Sequence, residues 1–135
     1  MSARVAILAG VPLALASLPG CALFRPPAGG ELEVTATAYN SLPGQAADRR
    51  DPARSASGAE LRPGMRVLAV SDDLFEDGLR FGARVWIEGV AGEWRVEDRM
   101  APRWRQRIDV YMGDDRTAAE RFGERRVRIR WRPPP

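Results

Sequence analysis

Six short β-type runs, each cut off by glycine, proline or aspartate, constrain this chain more than any other feature in it. Glu31 to Tyr39 alternates apolar with polar residues, and Thr35 and Thr37 favour an extended backbone. Met65 to Val70 reads as an apolar strand, and Arg84 to Glu88 as another. Val90 to Gly92 reads as a tight turn into Trp94 to Asp98. Arg107 to Tyr111 follows. The last run sets Val127, Ile129 and Trp131 against Arg126, Arg128 and Arg130. Ser71 to Gly82 reads as turn, with one helical turn over Leu74 to Leu79. Asp114-Asp115 offers a helix N-cap with acids at the positive end of the dipole; that helix ends near Phe122, with Gly123 as its C-cap. Six short strands and one short helix in about 100 residues predict a mainly β fold, a small six-stranded barrel.

The segments outside these runs carry their own signals. Arg4 precedes an uncharged, mostly apolar run from Val5 to Leu18, too short for a comfortable membrane span but suited to a signal peptide. It ends in Leu18-Pro19-Gly20-Cys21, which resembles a bacterial lipobox. The chain of 135 residues therefore reads as a signal peptide over 1–21, a flexible tether over 22–30 and one folded domain over 31–132. Cys21 is the expected lipidation site, which implies a periplasmic protein anchored in the outer membrane through its lipid. An ordinary secretory signal is the alternative. Asn40 to Pro63, with Arg49, Arg50, Arg54 and Arg62, is a loop long enough to expect a function.

Several chemistries are closed to this composition. There is no histidine and only one cysteine, so no Ser-His or Cys-His pair, no histidine-ligated metal and no cysteine zinc site is expected. No glycine-rich phosphate loop follows a strand, and no cofactor is expected. The formal charge is +3 and every basic residue is arginine, but the charge alternates along the chain, so no nucleic-acid partner is expected. Acid/base work falls to carboxylates. Asp98 and Asp109 each follow a short apolar approach, and an arginine-rich, proline-broken connection with Trp104 joins them. Two carboxylates brought to one mouth are the minimum for glycosidic chemistry. Trp104 is the best candidate for stacking on a sugar, whereas Trp86, Trp94 and Trp131 sit at strand positions that suit a core.

Thr35-Ala36-Thr37-Ala38-Tyr39, Pro63-Gly64, Phe81 to Gly89, Val96-Glu97-Asp98, Arg107 to Tyr111 and Phe122-Gly123 together resemble the three-aspartate (3D) domain of the membrane-bound lytic transglycosylase A family. The strongest element is the separation of eleven residues between Asp98 and Asp109. The resemblance implies a six-stranded double-psi β-barrel, as in the rare lipoprotein A family and expansins. It implies cleavage of the bond between N-acetylmuramic acid and N-acetylglucosamine in peptidoglycan glycan strands, with Asp109 as acid/base and Asp98 as its partner. Asp73, or failing that Asp72, would be the third acid. Tyr39, Trp104 and Tyr111 would be substrate-binding. The segment after Asp98 lacks the family's glycines, and Arg99 beside Asp98 would hold a carboxylate pKa down. The family's enzymes also carry a large second domain. The alternative expectation is a non-catalytic envelope lipoprotein that binds peptidoglycan or a second envelope protein.

Overall fold

A computed structural model describes residues 29–42 and 51–135. The signal-peptide and lipidation readings, including Cys21, lie outside the described residues, as do most of the tether and the middle of the long loop.

The fold is mainly β: a closed six-stranded barrel with two short helices among the described residues. The strands are β1 (Gly30–Tyr39), β2 (Val67–Val70), β3 (Arg84–Ile87), β4 (Val90–Arg99), β5 (Arg107–Tyr111) and β6 (Arg125–Arg132). Around the barrel they run β1-β5-β2-β4-β3-β6. The pairs β1/β5 and β2/β4 are parallel and the other four are antiparallel. Exchanging β1-β2-β3 with β4-β5-β6 maps this order, and every pairing direction, onto itself. Closure removes the unpaired edges that strands this short would otherwise expose.

The alternating side chains explain the packing. Val34, Ala36, Leu68, Val70, Val85, Val96, Ile108, Val110 and Ile129 point inward and are fully buried. Each of the valine, leucine and isoleucine side chains contributes about 1.5–3 kcal/mol by leaving water. Leu74, Phe75 and Leu79 join this core from helix α1 (Asp72–Glu76) and the turn that follows it. A second, smaller core lies on the outer face of the wall. There Val67 and Tyr111 pack with Leu61, beside Tyr39 and Met65.

Beyond shifts of one or two residues at strand ends, several features differ from the sequence expectation. Among the described residues there are two helices and not one, because α1 starts at Asp72, directly after Ser71. Val90 to Gly92 belongs to β4 and not to a turn; the reversal falls at Glu88-Gly89, where Gly89 has φ 78°. Gly30 opens β1 and so leaves the tether. The long loop is not structureless over its described part: Arg54 bridges to Glu60. Helix α2 (Arg116–Phe122) follows expectation, with the Asp115 carboxylate accepting from Ala118 N–H at 2.8 Å and Gly123 at φ 62°.

Candidate active site

Asp109 is held by a register that four strands share. It pairs with Thr37 on β1 and with Ala69 on β2. Ala69 pairs in turn with Asp98 on β4. Its neighbours Leu68 and Val70 point into the barrel, so Ala69 and everything in register with it face outward. The row Thr37, Asp109, Ala69, Asp98 thus crosses the outside of the wall. The two aspartates lie about 10 Å apart at Cα, two strand spacings.

Asp98 reaches this face through a bulge. Trp94 and Val96 point into the core, and simple alternation would send Asp98 after them. Between Leu68/Val96 and Ala69/Asp98 the pairing slips by one residue, and Glu97 is the extra one. A β-bulge re-aims the next side chain, and here it turns a carboxylate out of an apolar interior. Asp98 is nonetheless 1% exposed. The strap from Asp51 to Pro63 covers it. Ala56 N–H donates to its Oδ1 at 3.0 Å, and Arg99 N–H donates to the same oxygen at 2.9 Å. The Tyr39 hydroxyl donates to Oδ2 at 3.5 Å. Ser57 clips the strap down, its N–H to the Glu97 carbonyl at 3.0 Å and its hydroxyl to the Glu97 carboxylate at 2.6 Å.

Asp109 is a different kind of carboxyl. Burial pushes its pKa up to about 6. The Thr37 hydroxyl, donating to Oδ1 at 2.9 Å, and the Arg107 charge pull it down, while the Asp98 charge pushes it up. Arg107 does not pair with it directly: its guanidinium bonds Glu124 at 2.9 Å and lies 4.3 Å from the Trp104 ring centroid. Asp109 can therefore hold a proton near neutral pH and also release it, as a group that works as acid and then base must.

The other expected residues take several positions. Tyr39 and Tyr111 stack at 5.4 Å with their rings tilted by 51°, one end of the carboxylate face. Tyr111 is 2% exposed and its hydroxyl bonds Ser41 at 2.9 Å, so it supports Tyr39 from below and offers little surface to a ligand. Trp104 borders the opposite end through Arg107. It is half-buried and not freely exposed, because Arg103 and Arg107 both lie over its ring.

Asp73 stands apart from the row. Burial alone would raise its pKa, but the Ser71 hydroxyl and the N–H groups of Gln106 and Leu74 outweigh burial and hold it low. It accepts from Gln106 N–H at 2.9 Å, where the backbone adopts φ 44°. Asp72 accepts from both Nε (3.1 Å) and Nη2 (2.7 Å) of Arg99, whose guanidinium also lies 4.4 Å from the Phe75 centroid. The cation that bears on Asp109 is Arg107 and not Arg99.

Sequence reasoning missed Thr37 as a site residue, the Ala56-Ser57 strap and the Glu97 bulge. Thr37 had a signal, since it shares a strand face with Tyr39. The strap and the bulge had none. Among the described residues no group of three or more acidic or cysteine side chains is arranged to hold a metal ion.

No family model matches this chain, and no curated protein matches it. Its functional reading therefore rests on its own residues.

Proposed function

We propose that this barrel is a three-aspartate, double-psi domain that cleaves peptidoglycan glycan strands as a lytic transglycosylase-like enzyme. The observation that carries the proposal is Asp109: a carboxyl with its pKa raised to about 6, oriented by Thr37, with Asp98 across Ala69. Protonated Asp109 donates to the oxygen leaving the muramic acid C1, and that C1–O bond breaks. The resulting carboxylate takes the proton from the muramic acid O6 hydroxyl as O6 bonds to C1. A 1,6-anhydro ring closes, no water is consumed, and Asp109 is protonated again. Asp98 biases the proton by its charge, and Tyr39 supplies a ring at the edge of the face. Asp73 serves the fold of the neighbouring turn in this scheme. Export and lipid anchoring at Cys21 would deliver the barrel to this polymer; mass spectrometry of the mature N-terminus tests that part separately.

A second reading, a non-catalytic domain that binds peptidoglycan or a second envelope protein, is favoured by one observation. The strap leaves Asp98 1% exposed, so a glycan reaches Asp109 alone unless the strap lifts. Incubation of the protein with purified sacculi separates the two. Soluble anhydro-muropeptides that vanish in Asp109→Asn support the enzyme. Co-sedimentation with sacculi and no released product supports the binding domain, and ordinary reducing ends exclude the anhydro mechanism.

A further inference from the structure

The wall opposite the carboxylates carries an arginine ladder whose acids stop one step short. On β6, Arg126, Arg128, Arg130 and Arg132 all face solvent. On neighbouring β1, Arg130 stands opposite Glu31, Arg128 opposite Glu33 and Arg126 opposite Thr35. The ion pairs are diagonal. Arg126 bonds Glu33 at 2.9 Å and Arg128 bonds Glu31 at 3.4 Å, each arginine leaning to the residue two positions before its opposite. The same lean takes Arg130 to position 29, which is a glycine. Arg130 accordingly makes no side-chain ion pair among the described residues. A side chain cannot simply be added at Gly29, because a Cβ there would collide with the Trp131 carbonyl.

The vacated corner is a groove. A cavity of about 520 Å³ is lined by Gly29, Gly30, Trp86, Arg130, Trp131 and Arg132, together with Glu31. Trp86 pairs with Arg130 across β3 and β6, and its ring lies 5.8 Å from the Arg132 guanidinium. Trp131, in register with Val85, turns its side chain into the core, so the groups that face outward here are Arg130, Arg132 and Trp86. The acids nearby do not close the site. Glu31 is already neutralised by Arg128, and Glu88 lines only the adjoining cavity of about 400 Å³.

We propose that this groove is a second binding site, for an anionic saccharide. The Arg130 fork takes the carboxylate, Arg132 adds a second positive charge, and the sugar ring lies against Trp86. The site is separate from the Asp109 row and stands whether or not that row is catalytic.

Calorimetric titration of the full chain with glucuronic acid and N-acetylmuramic acid, each beside its neutral counterpart glucose or N-acetylglucosamine, tests this. At least one acid is expected to bind, more weakly as salt rises, and its neutral counterpart at least tenfold more weakly. Arg130→Ala and Trp86→Ala each lower that affinity at least tenfold, and Asp109→Asn leaves it unchanged. Arg130 is exposed, so its loss leaves the fold intact, which thermal melting checks. The proposal is overturned if neither acid binds, if the neutral sugars bind equally well, if inorganic phosphate alone binds as tightly as the acids, or if Arg130→Ala has no effect. Binding lost in Asp109→Asn but kept in Arg130→Ala would place the sugar on the carboxylate face and equally overturn it. Failure of the lytic reading leaves the Arg130 dependence untouched, so the two proposals fail separately.

Discussion

Asp98 and Asp109 stand on either side of Ala69, one on each neighbouring strand and both in register with it. Two carboxylates eleven residues apart in the chain are thus separated by a third strand, and only the small Ala69 side chain lies between them. The arrangement couples their charges without bringing them into contact, and it makes them unequal. Asp98 accepts from the strap, Arg99 and Tyr39, whereas Asp109 has one hydroxyl donor and a raised pKa.

Asp109 carries a stability signature that does not depend on substrate. Its folded pKa is raised, so its contribution to stability is fully present below the ordinary value of 3.8 and is lost as pH rises through about 6. Asp109→Asn removes the ionised form. The variant should match the parent near pH 4 and exceed it at pH 7 by on the order of 1–3 kcal/mol. Urea denaturation at the two pH values measures this. A variant no more stable than the parent at pH 7 would sink the raised pKa. In the lytic reading the general-acid step weakens above about pH 6 for the same reason.

Thr37 sets where that carboxyl titrates. Its hydroxyl stabilises the ionised form of Asp109. Thr37→Val keeps the shape and removes the donor, so the Asp109 pKa should rise further. Carboxyl chemical shifts followed through a pH titration report it directly. An unchanged or lowered value rules out the role given to Thr37.

Asp98 should matter most for folding. Asp98→Ala leaves the N–H groups of Ala56 and Arg99 without their acceptor in a buried position. The expected loss is about 2–4 kcal/mol. Asp98→Asn keeps an acceptor oxygen and should lose less than half of that. Chemical denaturation ranks the two, and equal losses would mean that charge and not acceptor geometry holds the strap.

Asp73 is expected to be a structural residue. Asp73→Ala frees the Gln106 N–H and should cost about 1 kcal/mol at neutral pH. Its folded pKa is lowered, so this stability is present above 3.8 and is lost as pH falls below that value. Asp109 should titrate unchanged in the variant. A shifted Asp109 would return Asp73 to the site.

Gln106 holds a backbone angle, φ 44°, that glycine adopts more readily. Gln106→Gly should be neutral or stabilising by roughly 0.5 kcal/mol, because relief of strain offsets the greater freedom of the unfolded chain. Thermal melting decides it, and a clear loss of stability would mean that the Gln106 side chain itself holds the turn.

What the sequence determined by itself was everything carried by local periodicity. The alternation in Glu31 to Tyr39 and Val127 to Trp131 marked the strands and their inner faces, Asp115 and Gly123 marked the ends of a helix, and the run of short strands implied a barrel. Asp98 and Asp109 were legible as a pair, but their environments were not. The tertiary structure alone decided those, because strand pairing joins residues far apart in the chain. Thr37 meets Asp109 across 72 residues. Ala56 meets Asp98 across 42. The Glu97 bulge exists only in the pairing of β4 with β2, and without it alternation would aim Asp98 into the core. Gly29 leaves Arg130 without an ion pair among the described residues only because antiparallel register sets β1 against β6. A side chain's face is a local property of the strand it sits on, while the partner it meets there is set by which strands the closed barrel brings together.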